Sequence, residues 1–147
     1  MKNFTYLLRV RYSECDAQKV VFNGKYTEYL DIAATEFTRL IWGNFHDILS
    51  RGIDSQIVNL NISWKAPSSF DDVLAIKVNA SHIGNSSYTL SFSITNHVTG
   101  AEVANAEVIY VMVNTATYTK MPIPEDLKQK LKLGAPNQII NHSGVSI

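Results

Sequence analysis

Glu14-Cys15-Asp16 places two carboxylates and a thiol a few residues ahead of Asn23-Gly24, where a long amphipathic run begins. A helix start collects unpaired backbone N–H groups and about half a positive charge. An aspartate just ahead of it has two roles open to it. It can be a turn residue whose side chain bonds local amides. It can instead act on a carbonyl that the helix end polarises, as a nucleophile or as the base that activates water. Taken alone, Asp16 fits the turn role better, because aspartate is common in turns. Cys15 is the rival nucleophile, but no histidine lies near it in sequence to favour the thiolate. Adjacent residues in an extended segment also point opposite ways, so Cys15 is expected to be a half-buried structural residue.

Other chemistry is missing from the sequence. There is no G-x-S-x-G, no Walker loop, no G-x-G-x-x-G and no H-E-x-x-H. His46, His82, His97 and His142 are scattered without ligand spacing, and with one cysteine no metal site is expected. Thirteen basic and thirteen acidic residues cancel, and no Lys/Arg cluster stands out. That removes the bulk attraction on which nucleic-acid binding depends. The longest apolar run, Val108 to Val113, is far shorter than the roughly 20 residues of a membrane helix, so no membrane insertion is expected. The first twelve residues are interrupted by Arg9 and Arg11 and do not read as a signal peptide. The lone cysteine suits a reducing compartment, which predicts a cytoplasmic protein.

Something must position Asp16. The protein has 147 residues, 46% hydrophobic and 18% charged, enough for one domain with a core. Phe4–Tyr12 is predicted to be a strand. Tyr26, Tyr29, Leu30, Ala33, Phe37, Leu40 and Ile41 recur at steps of three and four, one face of a long helix. Asn23-Gly24 is expected to cap it and Gly43-Asn44 to stop it, with a short helical turn at His46–Arg51. Strands follow at Ile57–Lys65, Leu74–Ser81, Tyr88–His97 and Glu102–Asn114, joined by turns such as Gly84-Asn85 and Thr99-Gly100. The last becomes apolar at every position from Val108, which predicts cover on both faces. A polar helix at Glu125–Lys132 and a loosely ordered tail from Gly134 complete the sequence. One central helix against an antiparallel sheet, with no βαβ alternation, is an α+β layout. A single helix covers one face of such a sheet, which hints at another subunit on the other face or at an edge.

Tyr12, Glu14-Cys15-Asp16, Val20-Val21-Phe22, Tyr26, Ala33 and Glu36 resemble the N-terminal signature of the 4-hydroxybenzoyl-CoA thioesterase family. Ser63-Trp64-Lys65-Ala66-Pro67, Ile83-Gly84-Asn85-Ser86-Ser87 and Met121-Pro122-Ile123-Pro124 fall where that family has its second-strand end, its hairpin and its proline segment. The resemblance spans nearly the whole sequence. It implies a hotdog fold, an antiparallel sheet wrapped round one long helix, over residues 1–133, with 134–147 as a C-terminal tail. It also implies an acyl-CoA thioesterase that needs no metal or organic cofactor, a homodimer or homotetramer with active sites at the subunit interface.

Carried over, Asp16 becomes the catalytic carboxylate and the backbone N–H at Asn23 the donor to the thioester carbonyl. Gly24 permits close backbone approach, Tyr26 is helix core or pocket wall rather than a proton donor, and Ser86 and Ser87 are hairpin residues in a turn that the family often places near the pantetheine arm. Glu36 is a further candidate, with a solvated or interface carboxylate as its equal alternative. The sequence departs from the family pattern at Lys19, where glycine is usual, at Asn23, where histidine or an aromatic is common, and at Ala34-Thr35 before Glu36. Lysine tolerates positive φ poorly, yet Lys19 at a pocket mouth would attract CoA phosphate. Two rivals remain: a non-catalytic acyl-CoA-binding protein of the same fold, and an acyl-thioester dehydratase or hydratase. The second usually needs a histidine beside its acid, and none lies near Asp16 or on the long helix.

Overall fold

The computed structural model describes residues 3–147; Met1 and Lys2, at the start of the expected domain, lie outside the described residues. The long helix, α1, runs Lys25–Trp42. Its buried residues Tyr26, Tyr29, Leu30, Ala33, Ala34, Phe37 and Ile41 follow the three-and-four spacing that the sequence predicts. Leu40, expected on that face, is exposed. The glycine after the helix ends it as expected: Gly43 takes φ +83°, and its N–H returns to Arg39 C=O at 3.0 Å. A short helix, α2, follows at Phe45–Ser50, with Asn44 Oδ1 accepting the His46 N–H at 2.7 Å.

The sheet contains β1 (Phe4–Arg9), β2 (Ile53–Trp64), β3 (Val73–Ile83), β4 (Ser87–Asn96), β5 (Glu102–Asn114), β6 (Thr119–Lys120) and β7 (Ile139–Asn141), while α3 spans Glu125–Leu133. The order across it is β2-β5-β4-β3-β1-β7, with β6 on β5. Every pairing is antiparallel except β1 with β7. The inward positions of β3, β4 and β5, including Ile76, Val78, Leu90, Ile94, Val108 and Met112, pack with α1 into one core. Phe4 and Phe37 meet there with ring centroids 5.7 Å apart.

Three expectations change. The first strand stops at Arg9, because Tyr12–Glu14 turns into a single 3-10 turn. The tail is not loose where it meets the sheet: residues 139–141 pair in parallel with β1, and the His142 ring shares a hydrogen bond with the Tyr6 hydroxyl at 3.1 Å. The last long strand, β5, is covered on one face only for most of its apolar part: Val108, Tyr110 and Met112 are buried, Ile109 and Val111 half-buried. Among the described residues no helix is long and apolar enough to cross a membrane.

Candidate active site

After the 3-10 turn the backbone forms a tight loop closed by a bridge between Cys15 and Val21. Inside it, the Asp16 N–H donates to Val20 C=O and the Lys19 N–H to Asp16 C=O, both at 2.9 Å. Asp16 Oδ1 accepts the Gln18 N–H at 2.8 Å. Aspartate is therefore a turn residue here, as the simpler role requires, but the turn occupies one carboxylate oxygen. Oδ2 has no partner among the described residues, and the side chain is half-buried. Lys19 adopts φ +67°. The position where the resemblance leads one to expect glycine has a left-handed backbone, and lysine bears the strain of about 1–2 kcal/mol. Cys15 Sγ lies 3.9 Å from Arg11 C=O and packs against the core, as expected of a structural residue.

The loop leads straight into the start of α1. Gly24 occupies the cap position, and no side chain caps the helix there. The capping expected of Asn23 is not made, because the backbone has already begun to coil: the Lys25 N–H donates to Phe22 C=O at 2.9 Å and the Tyr26 N–H to Asn23 C=O at 3.3 Å. The N–H groups of Asn23 and Gly24 have no acceptor among the described residues, and both residues are exposed. Gly24 has an ordinary φ of −66°. A Cβ there would come within 2.9 Å of the Phe22 ring, so a side chain at this position would require that exposed ring to shift.

Tyr26 is 2% exposed and stands edge-on to Tyr29 at 5.7 Å and to Trp64 at 5.9 Å. Burial pushes its phenol above the ordinary value. It forms the wall behind the helix start. Ser68, midway along the loop between β2 and β3, holds the other side through its C=O, which accepts the Val21 N–H at 2.8 Å.

The remaining expected residues lie elsewhere. Glu36 is twelve residues beyond Gly24, about 18 Å along the helix axis. Its carboxylate pairs with Arg39 at 3.2 Å. Ser86 and Ser87 form the turn between β3 and β4, where Ser87 C=O accepts the Gly84 N–H at 2.7 Å and Ser86 C=O the Met112 N–H at 2.8 Å. The segment after β1 that leads into the Asp16 loop sits by the first residues of β3, with the Val10 N–H on Asp72 C=O, so the length of β3, about 33 Å, separates that end of the sheet from the turn. A single protomer brings together Asp16, Lys19, Asn23, Gly24 and Tyr26; Glu36 and the serines are not among them.

Residues 10–131 match the family model described as the thioesterase-like superfamily. The protein belongs to that superfamily. With its relatives it is a hydrolase, and its fold is the hotdog fold. The long-chain acyl-CoA thioesterase FadM of Escherichia coli is 26% identical over 125 residues, covering 85% of this sequence and 94% of that one. A solved structure of a hypothetical protein from Aquifex aeolicus superposes with a TM-score of 0.81 at 26% identity, over 88% of this protein and 99% of the other. A 4-hydroxybenzoyl-CoA thioesterase solved with 4-hydroxybenzoyl-CoA has the same fold, with a TM-score of 0.81 at 22% identity over 89% and 99%.

In this hotdog protomer two apolar clefts run along α1 on the β2 side. One, of about 430 Å³, lies between Ile32 and the strand residues Ile57, Leu60 and Val108. The other, of about 150 Å³, is bounded by Trp42, Tyr88 and Met112. They share Asp31 and Tyr110. Sequence reasoning gave no role to Glu14, although it is the one charged residue buried among the described residues, 5% exposed. The three-residue spacing of Arg11 and Glu14, an opposite-charge pair, is the signal the sequence offers for it.

Proposed function

We propose that this thioesterase-like protein hydrolyses acyl-CoA thioesters to a carboxylic acid and free CoA, in the manner of the 4-hydroxybenzoyl-CoA thioesterase family. One observation carries the proposal: the unpartnered Oδ2 of Asp16 lies in a loop whose ends are tied by the Phe22 N–H on Glu14 C=O at 2.9 Å, and the unpartnered N–H groups of Asn23 and Gly24 follow that tie directly. The thioester carbonyl accepts from the Asn23 N–H at the positive end of α1, a contact typically worth 10²–10³ in rate, as an order of magnitude. Asp16 then serves in one of two ways. It attacks the carbonyl carbon, expels CoA thiolate and leaves an anhydride for water to cleave, or it takes a proton from a water that attacks instead. A thioester suits this small apparatus because its carbonyl is weakly resonance-stabilised and its thiolate leaves readily. Lys19, exposed on the loop, is placed to attract CoA phosphate. The lone free thiol fits a cytoplasmic location.

The active unit is a homodimer with a site at each end of the interface. Strand β2 is the open edge of the sheet, and its middle exposes Ile57, Val58 and Leu60. Antiparallel pairing of two β2 edges turns one sheet end for end relative to the other. The β3–β4 turn of one copy, with Ser86 and Ser87, then approaches the Asp16 end of its partner, and the apolar clefts along α1 lie alongside to take the acyl group. Pairing of dimers into a tetramer is compatible with the same sites.

The test is turnover of short, long and aromatic acyl-CoAs, followed by trapping the released thiol. Turnover of any one supports the proposal and identifies the acyl class. Binding of CoA without turnover across the panel would replace it with the binding-protein alternative.

A further inference from the structure

Glu14 is buried, charged and unused by the chemistry above, yet it sits two residues from Asp16. Its Oε1 accepts the Arg11 backbone N–H at 2.7 Å and the Tyr29 hydroxyl at 2.9 Å. Its Oε2 accepts from the Arg11 guanidinium, Nη2 at 3.1 Å and Nε at 3.3 Å. Its backbone carbonyl accepts the Phe22 N–H. One residue therefore joins three parts: the end of the β1 segment through Arg11, the first full turn of α1 through Tyr29, and the residue just before Asn23 through Phe22.

A buried carboxylate is costly to desolvate and persists where its partners are complete. Replacing it by a well-packed apolar group is often neutral or better for stability, so stability alone is a weak reason for this choice. A fixed, short, charge-assisted bond does supply geometry. The Tyr29 bond is the only side-chain hydrogen bond among the described residues that links the Asp16 loop directly to α1. Without it, the loop would still close through Cys15 and Val21, but its distance from the helix end would rest on backbone bonds at Phe22 and on the apolar packing of Cys15 and Val21, with no side-chain hydrogen bond to fix it.

We propose that Glu14, held by the Tyr29 hydroxyl, is a positioning residue that sets the Asp16 carboxylate against the N–H groups of Asn23 and Gly24. It touches no substrate. This inference rests on the thioesterase reading. A misplacement of about 1 Å in such a pair can cost on the order of a hundredfold in rate while leaving the binding of a large substrate unchanged.

The experiment compares wild type with Tyr29→Phe and Glu14→Gln, using an acyl-CoA that the wild type turns over and a temperature well below each variant's unfolding midpoint. Tyr29→Phe is expected to lower kcat roughly tenfold with KM within about twofold, and Glu14→Gln to lower it further. Adding Glu14→Gln to Tyr29→Phe should cost less than the product of the two single effects, because both act through one bond. Unchanged kcat in folded Tyr29→Phe overturns the proposal, as does a rise in KM with kcat preserved. If Glu14→Gln does not fold, Tyr29→Phe decides alone. Absence of turnover in the wild type across the panel removes the thioesterase reading and this inference together, whereas wild-type turnover with silent variants removes only this inference.

Discussion

Asp16 Oδ1 accepts the Gln18 N–H at 2.8 Å, so the bond that makes this residue part of a turn also leaves its second oxygen directed by that turn. Asp16→Asn keeps a carbonyl oxygen for Gln18 and removes the charge. It should therefore fold with a nearly unchanged unfolding midpoint while losing roughly a hundredfold or more in kcat. Asp16→Ala loses the turn bond too and should show a lower midpoint as well. Thermal unfolding beside steady-state kinetics separates the two effects, and equal activity in Asp16→Asn would take the carboxylate out of the chemistry.

Lys19 sits at φ +67°, a conformation glycine adopts freely and lysine does not. Lys19→Gly relieves that strain but loosens the unfolded state, leaving a net stabilisation of about 1 kcal/mol. For a protein of this size that raises the midpoint by roughly 2–4 °C. If Lys19 also draws in CoA phosphate, the same variant should raise KM at low salt and lose that effect at high salt. A variant no more stable than wild type would show that the backbone there is not strained.

Val58 is 59% exposed and lies at the irregularity between Ile57 and Asn59 in the β2–β5 pairing, in the middle of the open edge. Val58→Asp places a charge where two copies would meet. Light scattering should find wild type at a small multiple of 16.4 kDa and the variant at one copy, with turnover lost alongside assembly. A fully active single-copy variant would contradict a site shared between subunits.

Three buried phenols give the protein an alkaline limit. Burial is the largest cause that pushes Tyr29, Tyr88 and Tyr110 well above their ordinary value; the Glu14 bond adds to it at Tyr29, and Asp31 at Tyr110. In the unfolded state they release protons near pH 10. Above that pH the unfolded state binds fewer protons than the folded one, so stability falls as pH rises. Their contribution is complete below about pH 10 and is lost as pH climbs toward the raised folded values. Chemical denaturation at a series of pH values should show the midpoint dropping above that point. Tyr110→Phe should make the drop shallower, and an unaltered slope would discount burial as the cause.

Local patterns in the sequence determined the elements. The three-and-four spacing from Tyr26 to Ile41 marked one helix face because side chains on a helix repeat every 3.6 residues, and α1 buries nearly the same set. The alternation from Tyr88 to His97 marked β4 within a residue or so at each end. Asp16 stands out because it lies a few residues ahead of a helix start, while the site roles of Asn23 and Gly24 come from the family resemblance.

What the tertiary structure decided was which distant parts meet. Within one protomer, strand length puts Ser86 and Ser87 at the far end of β3 from the end of β1 that leads to Asp16, which no motif comparison shows. The tail reads as loose in sequence, and its order comes from partners outside it, chiefly the free edge that β1 offers to Ile139–Asn141. Asn23 lost its expected capping role to backbone bonds from Lys25 and Tyr26. Glu14 has no role in the sequence reading, and its burial becomes visible only with Arg11 and Tyr29 bonded to it. Periodicity records the face a residue shows to its own element, whereas burial of a charge depends on partners as far off as Tyr29, and only packing brings those into place.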